Sequence, residues 1–173
     1  MTWLLTSTGR HFDLVDPQPD MVNILDIAQG LANECRYVGQ CRAFYSVAQH
    51  CVLASEIVEA EHALEALLHD ASEAYLKDIP RPLKQLLPDY RAIERRVDAV
   101  IRAAFNLPSA QSDAVKQTDI ILLATERRDL MPNDPTDWPV LYGVTPLDRS
   151  IRAIPPRVAE ARFQRRLLEI TLR

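Results

Sequence analysis

The sequence contains few glycines. There are four glycines against twelve prolines in 173 residues. Proline cannot continue a helix beyond its first turn, whereas hairpin turns between strands depend on glycine. The abundant alanine, leucine, glutamate and arginine favour helix formation. The balance therefore favours helices that end at prolines, and we predict an all-α fold.

Cysteine is also scarce, with three residues and no Cys-x-x-Cys pair. An odd number, Cys35, Cys41 and Cys51, cannot all pair and is typical of reduced thiols in a cytosolic protein. The first residues combine neither a basic start nor a continuous apolar run, so we expect no signal peptide. No apolar stretch approaches the roughly 20 residues that span a bilayer. We expect a soluble, cytoplasmic protein with no membrane partner.

The chain has no excess of positive charge, since its formal net charge is -4. That charge disfavours nucleic acid as the main partner, although a local basic pocket for a small phosphate ester stays compatible with it. Hydrophobic residues make up 47% and charged residues 25%, as in ordinary globular domains. The length suits one domain over residues 1–173.

Apolar residues recur at helical spacing in six segments. These segments lie at about 23–35, 46–60, 62–75, 88–105, 112–130 and 157–172. Asn23 or Asp20 is available to cap the first of them. Residues 2–15 alternate loosely around Gly9 and predict a short hairpin or extended arm before the helical bundle. The proline-rich residues 131–156 predict a long irregular excursion, a kind of loop that is often functional.

The residues that indicate chemistry lie in the segment Ala-Leu-Leu-His-Asp-Ala-Ser-Glu-Ala, residues 66–74. His69 and Asp70 lie near the end of an apolar helix, where polar side chains are costly to bury without a partner. Glu73 follows them by four and three residues, so on a continuous helix the three side chains converge. Imidazole nitrogen and carboxylate oxygen suit zinc, manganese, cobalt or iron.

Two more polar residues lie in apolar helical segments. His50 taken alone fits a core histidine bonded to a carbonyl, and Asp119 taken alone fits a solvated position near a helix start. An unpaired buried acid costs several kcal/mol, so Asp119 needs a cation partner if it is buried. Together with His69 and Asp70, these residues predict a metal site built from three helices. Glu126, seven residues after Asp119, is expected to be partly buried and paired with an arginine.

Three segments carry this His…His-Asp…Asp pattern. They are Cys-Arg-Tyr-Val-Gly-Gln-Cys-Arg-Ala-Phe-Tyr-Ser-Val-Ala-Gln-His ending at His50, His-Asp-Ala-Ser-Glu-Ala-Tyr-Leu-Lys-Asp-Ile-Pro-Arg-Pro-Leu-Lys ending at Lys84, and Lys-Gln-Thr-Asp-Ile-Ile-Leu-Leu-Ala-Thr-Glu-Arg-Arg-Asp-Leu ending at Leu130. The pattern resembles the HD-domain phosphohydrolases and, among them, the bacterial 5'-deoxynucleotidases and their prophage-encoded relatives. The resemblance covers about residues 5–145.

The resemblance implies a single HD-domain helical bundle with a divalent metal, which is zinc, manganese, cobalt, iron, nickel or magnesium. The implied metal ligands are His50, His69, Asp70 and Asp119. Glu73 and Asp78 match two catalytic carboxylates near the attacking water and the scissile phosphate. From its spacing, Glu73 fits either a proton carrier or a partner that orients His69.

Substrate contacts follow from the same resemblance. Arg36 matches an arginine that grips the 5'-phosphate, and its planar fork can clamp two phosphate oxygens. Tyr37 replaces a tryptophan that crowds the sugar 2' position in the best-known members. Gln40 replaces a histidine that is frequent in prophage relatives. Lys84 and Arg81 can neutralise further phosphate charge, although a solvated basic face is the simpler interpretation for Arg81.

The leading functional hypothesis is hydrolysis of (deoxy)nucleoside 5'-monophosphates to nucleoside and phosphate by a homo-oligomer. A related hypothesis is a deoxynucleoside triphosphohydrolase, in which Arg81 and Lys84 hold the outer phosphates. A hypothesis of another class is a non-catalytic prophage regulator that binds metal and nucleotide. Cyclic-dinucleotide hydrolysis is disfavoured, because we find none of the extra histidines of those proteins.

Overall fold

The computed structural model describes residues 1–172, and its regular secondary structure is helical apart from one small two-stranded sheet. The helices are α1 Ile24–Asn33, α2 Val47–Ile57, α3 Ala63–Leu68, α4 Glu73–Leu76, α5 Arg81–Lys84, α6 Pro88–Ala104, α7 Asp113–Leu130 and α8 Pro156–Thr171. The strands are β1 Trp3–Leu5 and β2 His11–Asp13. The prediction of an all-α fold is confirmed. Among the described helices, none is long and apolar enough to cross a membrane.

The predicted hairpin is present at the start of the chain. β1 pairs antiparallel with β2, and Leu4 lies opposite Phe12. The turn contains Gly9 at a φ of 79°, a left-handed conformation that glycine adopts without a steric penalty. Phe12 is fully buried and stacks on Tyr75 with 3.9 Å between ring centroids, which ties the hairpin to the helices.

Local sequence signals explain where the long helices begin. The side chains of Asn23, Ser46 and Ser112 accept hydrogen bonds from backbone N–H groups in the first turns of α1, α2 and α7. Such caps satisfy donors that have no partner within the helix. α6 and α8 begin with Pro88 and Pro156, whose fixed φ suits a first helical position. The predicted cap at Asn23 is confirmed.

The predicted helix over residues 62–75 is wrong in one respect, because it is interrupted after Leu68. Residues 69–72 form tight turns in which Ala71 N–H donates to the Leu68 carbonyl and Glu73 N–H donates to the Asp70 carbonyl. Bonds between residues three apart wind the backbone more tightly than α-helical bonds do. This winding stacks residues three apart, so Asp70 and Glu73 still face the same side.

Helix α2 lies at the centre of the molecule, packed against α1, α3, α7 and α8. It is buried on nearly every face, and both apolar clusters of the core contain its residues. His50 is the fourth residue of α2 and is completely buried. A polar ring at this depth needs partners within the protein.

Two further packing features shape the region around α2. Helix α8 packs on α1, α2 and α3 and buries Phe163 completely. Helix α1 approaches α4 so closely that a Cβ atom on Gly30 would lie 2.8 Å from the Cβ of Ala74. The predicted excursion at 131–156 has no α-helix before Pro156 and contains one short 3₁₀ turn, Pro139–Leu141.

Candidate metal centre

Four predicted ligand residues converge at one point between α2, the turn after α3, and α7. His50 Nε2 lies 3.2 Å from His69 Nε2 and 3.2 Å from Asp119 Oδ1. Asp70 Oδ2 lies 3.2 Å from His69 Nε2 and 3.7 Å from His50 Nε2. The His50 ring is fully buried, whereas the Asp119 side chain is 42% exposed, so the cluster reaches from the core to the surface.

Hydrogen bonds at the Nδ1 atoms of the two histidines determine which ring nitrogens face the cluster. His69 Nδ1 lies 2.8 Å from the Ala66 carbonyl oxygen, which can only accept a hydrogen bond. His50 Nδ1 lies 2.6 Å from Glu126 Oε1. Both Nδ1 atoms therefore carry hydrogen, so in the neutral form of each ring the Nε2 lone pair faces the other ring and two carboxylates.

A cluster of this many acceptors can hold a cation among them. Ligand bonds of ~2.1 Å put neighbouring ligand atoms ~3.0–3.4 Å apart around one ion. Three of the four measured separations are 3.2 Å, and the fourth is 3.7 Å. Hydrogen bonds that fix the far nitrogens of the imidazoles are typical of histidine ligands. The donor set therefore fits a divalent metal ion with mixed nitrogen and oxygen ligands.

Charges within the cluster reinforce this affinity for a cation. Burial opposes ionisation of Asp70, yet His69, His50 and Arg36 hold the pKa of Asp70 far below its ordinary value. Burial alone would lower the pKa of His69, yet the neighbouring Asp70 raises it well above the ordinary value. Asp70 and His69 stabilise each other's charges, so Asp70 stays ionised and can stabilise positive charge beside it.

Cys51 lies on the core side of the cluster. It is fully buried. Its sulfur and one ligand atom each of His69 and Asp70 lie within 4.8 Å of one another. One ligand atom each of His50, His69 and Asp119 also lie within 4.8 Å of one another. His69 is therefore shared by two groups of possible metal ligands, of which only the second has exclusively nitrogen and oxygen donors.

Glu126 binds four donors beneath the cluster. Arg36 Nε lies 3.2 Å from one carboxylate oxygen, which also accepts from the Tyr37 hydroxyl at 2.6 Å. The other oxygen accepts from the Tyr45 hydroxyl at 2.8 Å and from His50 Nδ1. Burial alone would raise the pKa of Glu126, but Arg36 and His50 lower it to about 2. The ionised carboxylate thus fixes the orientation of His50, and its predicted arginine partner is Arg36.

Arg36 also reaches the metal cluster, since its Nη1 lies 3.4 Å from Asp70 Oδ2. It precedes a left-handed turn in which Tyr37, Val38 and Gly39 have φ values of 55°, 54° and 75°. For a β-branched residue such as Val38 this conformation is strained, and such strain concentrates at functional sites. The turn directs Arg36 and Tyr37 together onto Glu126.

A cavity of about 310 Å³ opens above the cluster. It brings together seven of the eight residues predicted to be catalytic, substrate-binding or surface-facing metal ligands. Its walls are Arg36, Asp70, Glu73, Asp78, Ile79, Arg81, Lys84 and Asp119. Tyr37 lies outside it and lines a neighbouring cavity together with Arg36.

Glu73 has an unusual position in this cavity wall. Its side chain is buried, and its Oε2 has no hydrogen-bond partner among residues 1–172. Burial, followed by the charges of Asp70 and Asp78, raises the pKa of Glu73 well above its ordinary value. A buried carboxyl whose pKa is raised in this way is suited to proton transfer.

Comparison with known proteins identifies relatives along the whole chain. The uncharacterized protein YfdR of Escherichia coli K12 is 47% identical over 173 residues, covering 99% of this chain and 97% of that protein. The chain belongs to the YfdR family. An uncharacterized protein of Rhodobacter capsulatus is 31% identical over 182 residues, covering 95% and 93% of the two chains. No model of a known protein family matches this YfdR-family chain.

Glu34 is a site residue of this YfdR-family protein that sequence reasoning missed. It lies just after α1, accepts a 3.2 Å bond from the Asp78 backbone N–H, and binds Lys77 Nζ at 2.6 Å. It thereby fixes the backbone beside Asp78, whose pKa is raised by burial and by Asp70. An acidic residue at the carboxyl end of a helix interacts unfavourably with the helix dipole. This unusual position is the sequence feature that could have identified Glu34.

Lys84 and Glu94 form a second contact that the sequence did not reveal. Lys84 Nζ lies 2.5 Å from Glu94 Oε1, and the Glu94 side chain is only 20% exposed. Glu94 is therefore largely shielded from solvent by this contact. Arg81 is exposed, although it borders the cavity.

Proposed function

We propose that this YfdR-family protein is a metal-dependent phosphohydrolase that releases nucleoside and phosphate from (deoxy)nucleoside 5'-monophosphates. One observation carries the proposal. The Nε2 atoms of two histidines, whose Nδ1 atoms are held by hydrogen bonds, lie beside two carboxylates. The cavity above them is also lined by Arg36 and Lys84. The motif resemblance to the HD-domain phosphohydrolases supports the same reaction, whereas the named relatives are uncharacterized and add no activity.

His50, His69, Asp70 and Asp119 would hold the metal ion. When bound, a divalent ion supplies polarisation of a phosphoryl oxygen and a lower pKa for coordinated water. Glu126 holds the His50 ring in position through Nδ1, and the Ala66 carbonyl does the same for His69. Fixing both rings in advance lowers the entropic cost of assembling the site.

Arg36 and Lys84 bind the substrate phosphate. Arg36 already spans the distance between Glu126 and Asp70, so its guanidinium is oriented at the edge of the cluster before substrate arrives. Lys84 borders the same cavity and shares its charge with Glu94. A bidentate contact between arginine and phosphate supplies both affinity and orientation.

Glu73 carries the proton of the reaction. Hydrolysis breaks the bond between phosphorus and the ester oxygen, forms a bond between phosphorus and the oxygen of water, and moves one proton from water to the leaving oxygen. The Oε2 atom of Glu73 is free of protein partners within residues 1–172 and borders the cavity. Asp78 lies in the same wall and helps to keep the proton on Glu73, because its charge raises the pKa of Glu73.

The proposal is tested by stripping the protein with a chelator, reloading it with each divalent metal, and measuring phosphate release from dAMP and dATP side by side. We expect orthophosphate from dAMP. Triphosphate release from dATP alone would favour the triphosphohydrolase, in which Arg81 and Lys84 would hold the outer phosphates. Nucleotide binding without turnover for every metal would favour a regulator.

The ligand assignment needs a matched control on the same helix. Asp119→Ala should remove bound metal and activity together, while the α-helical circular dichroism stays unchanged. Asp113→Ala, at a side chain of α7 that is 98% exposed, should alter neither. Full metal content in Asp119→Ala would contradict the ligand set.

A further inference from the structure

A second cavity of about 560 Å³ adjoins the one above the metal cluster. The two cavities share Arg36, Asp78 and Arg81 in their walls. A molecule whose phosphate lies against Arg36 is therefore held by a residue that also borders the second cavity. A volume of this size is within the range of small-molecule binding sites, which is roughly 300–1,000 Å³.

The chemistry of the second cavity differs from that of the first. Away from the shared charged residues, its walls are largely apolar or aromatic, from Tyr37, Leu123, Met131, Trp138 and Val140. The carboxylates and the lysine that surround the metal cluster, apart from Asp78, do not reach it. Such a surface gains free energy by covering an apolar, planar group and offers few partners to a second phosphate.

Trp138 is the largest aromatic side chain in this wall, and other contacts hold it in place. The Arg127 guanidinium lies 4.8 Å from the centroid of its ring, a cation–π contact. Arg127 Nη2 also donates to the carbonyls of Asp134 and Thr136, which fixes the segment that carries Trp138. An indole ring fixed in this way is a preorganised stacking surface.

We propose that this second cavity binds the nucleobase of the substrate, with Trp138 as the residue that stacks on it. The inference rests on the proposed nucleotidase function, because it takes the phosphate to lie at Arg36. Stacking uses the face of a base and leaves its hydrogen-bonding edges unread. The cavity therefore selects for the presence of a base and discriminates little among the four bases.

Binding to the metal-stripped protein tests the proposal without turnover. Calorimetric titrations compare dAMP with 2-deoxyribose 5-phosphate, which has the same sugar phosphate and no base. The wild-type protein should bind dAMP at least roughly 10-fold more tightly, since stacking of one base supplies that much affinity. Trp138→Ala should abolish the preference by weakening dAMP alone, and Trp138→Phe should keep most of it.

Trp3 provides the matched control, because it stacks on His11 in the hairpin and is absent from both cavity walls. Trp3→Ala should retain the wild-type preference for dAMP. Equal affinity of the wild-type protein for the two ligands, or no binding of either, would overturn the proposal. An equal loss of affinity for both ligands in Trp138→Ala would also overturn it, because Trp138 would then have a purely structural role.

The hydrolytic function and the base site fail in different measurements. If the wild-type protein prefers dAMP through Trp138 but hydrolyses no nucleotide with any metal, the base site stands and the phosphohydrolase proposal falls. If it hydrolyses dAMP and 2-deoxyribose 5-phosphate with equal KM, and Trp138→Ala changes neither KM, the phosphohydrolase stands and the base site falls.

Discussion

Two buried glutamates lie near the proposed metal centre, and they differ in their hydrogen-bond partners and in the direction of their pKa shifts. Glu126, below the cluster, is fully buried and accepts from four donors, and its pKa is lowered to about 2. Glu73, in the cavity wall above, is 8% exposed and has an oxygen with no partner within residues 1–172. Burial and neighbouring carboxylates raise its pKa.

The difference separates two roles that one residue type performs in one site. A carboxylate saturated with donors is fixed in place and permanently ionised, so it can orient His50 but cannot exchange a proton near neutral pH. An unsatisfied buried carboxyl costs stability and retains a proton that it can give up. We therefore assign orientation to Glu126 and proton transfer to Glu73.

The largest expected effect comes from Glu73→Gln. This change keeps the shape of the side chain and removes its proton chemistry, so kcat should fall roughly 10²–10⁴-fold. Metal content and KM should stay close to wild type in a metal titration followed by kinetics. Glu61→Gln, at a side chain that is 81% exposed, is the control. Recovery of turnover by excess metal would reassign Glu73 to orientation and remove the contrast with Glu126.

Glu126→Gln should act on stability in a pH-dependent way. The pKa of Glu126 in the folded protein, about 2, lies below its ordinary value of 4.5, so ionisation stabilises the fold at higher pH. This contribution, about 3 kcal/mol, is complete above about pH 4.5 and is lost as pH falls from about 4.5 towards 2. Urea unfolding of the metal-stripped wild-type and variant proteins should show a difference in the free energy of unfolding that becomes smaller as the pH falls. A difference in the free energy of unfolding that does not depend on pH would contradict the assignment of Glu126 as an ionised carboxylate.

The same variant should weaken metal binding while sparing the chemistry. Removing the charge that holds His50 Nδ1 should lower metal affinity about 10–100-fold, and saturating metal should restore turnover. Competition with a metallochromic chelator measures the affinity. Loss of kcat at saturating metal would show that Glu126 takes part in the reaction itself.

The smallest expected effect comes from Gly30→Ala, which perturbs only the Glu73 side. The added methyl group would overlap Ala74 in α4, the helix that begins at Glu73, at a cost of about 1–3 kcal/mol in unfolding free energy. Because α4 shifts and α7 does not, kcat should decrease while metal affinity is retained. Gln29→Ala, at an exposed position of α1, should leave both unchanged. A weaker metal affinity without loss of kcat would contradict the division of roles.

Sequence patterns predicted what depends on neighbouring residues. The Asn23 cap, the hairpin around Gly9 and the proline at the start of α6 follow from local signals and are confirmed. The break after Leu68 was missed, because apolar spacing runs through it unchanged. An amphipathic pattern reports which face is buried and is insensitive to one tighter turn.

Contacts between distant parts of the chain were only partly predictable. The pairing of Glu126 with an arginine was expected from its helical face, but Arg36 lies 90 residues away in sequence. The Lys84–Glu94 pair and the contact of Glu34 with Asp78 depend on how the loops fold back. The stacking surface at Trp138 lies in the proline-rich residues 131–156. No apolar periodicity there indicates which way a side chain faces.

The packing of α8 has a consequence for how the protein is made. All four proposed metal ligands leave the ribosome before α8 does, since α8 begins at Pro156. Helix α2, which carries His50, is covered by α8 only after that helix has been synthesised. Until then the nascent chain displays an uncovered apolar surface on α1 and α2, the kind of surface that chaperones bind. We therefore expect stable binding of a metal ion only after α8 has been synthesised and has packed on α2.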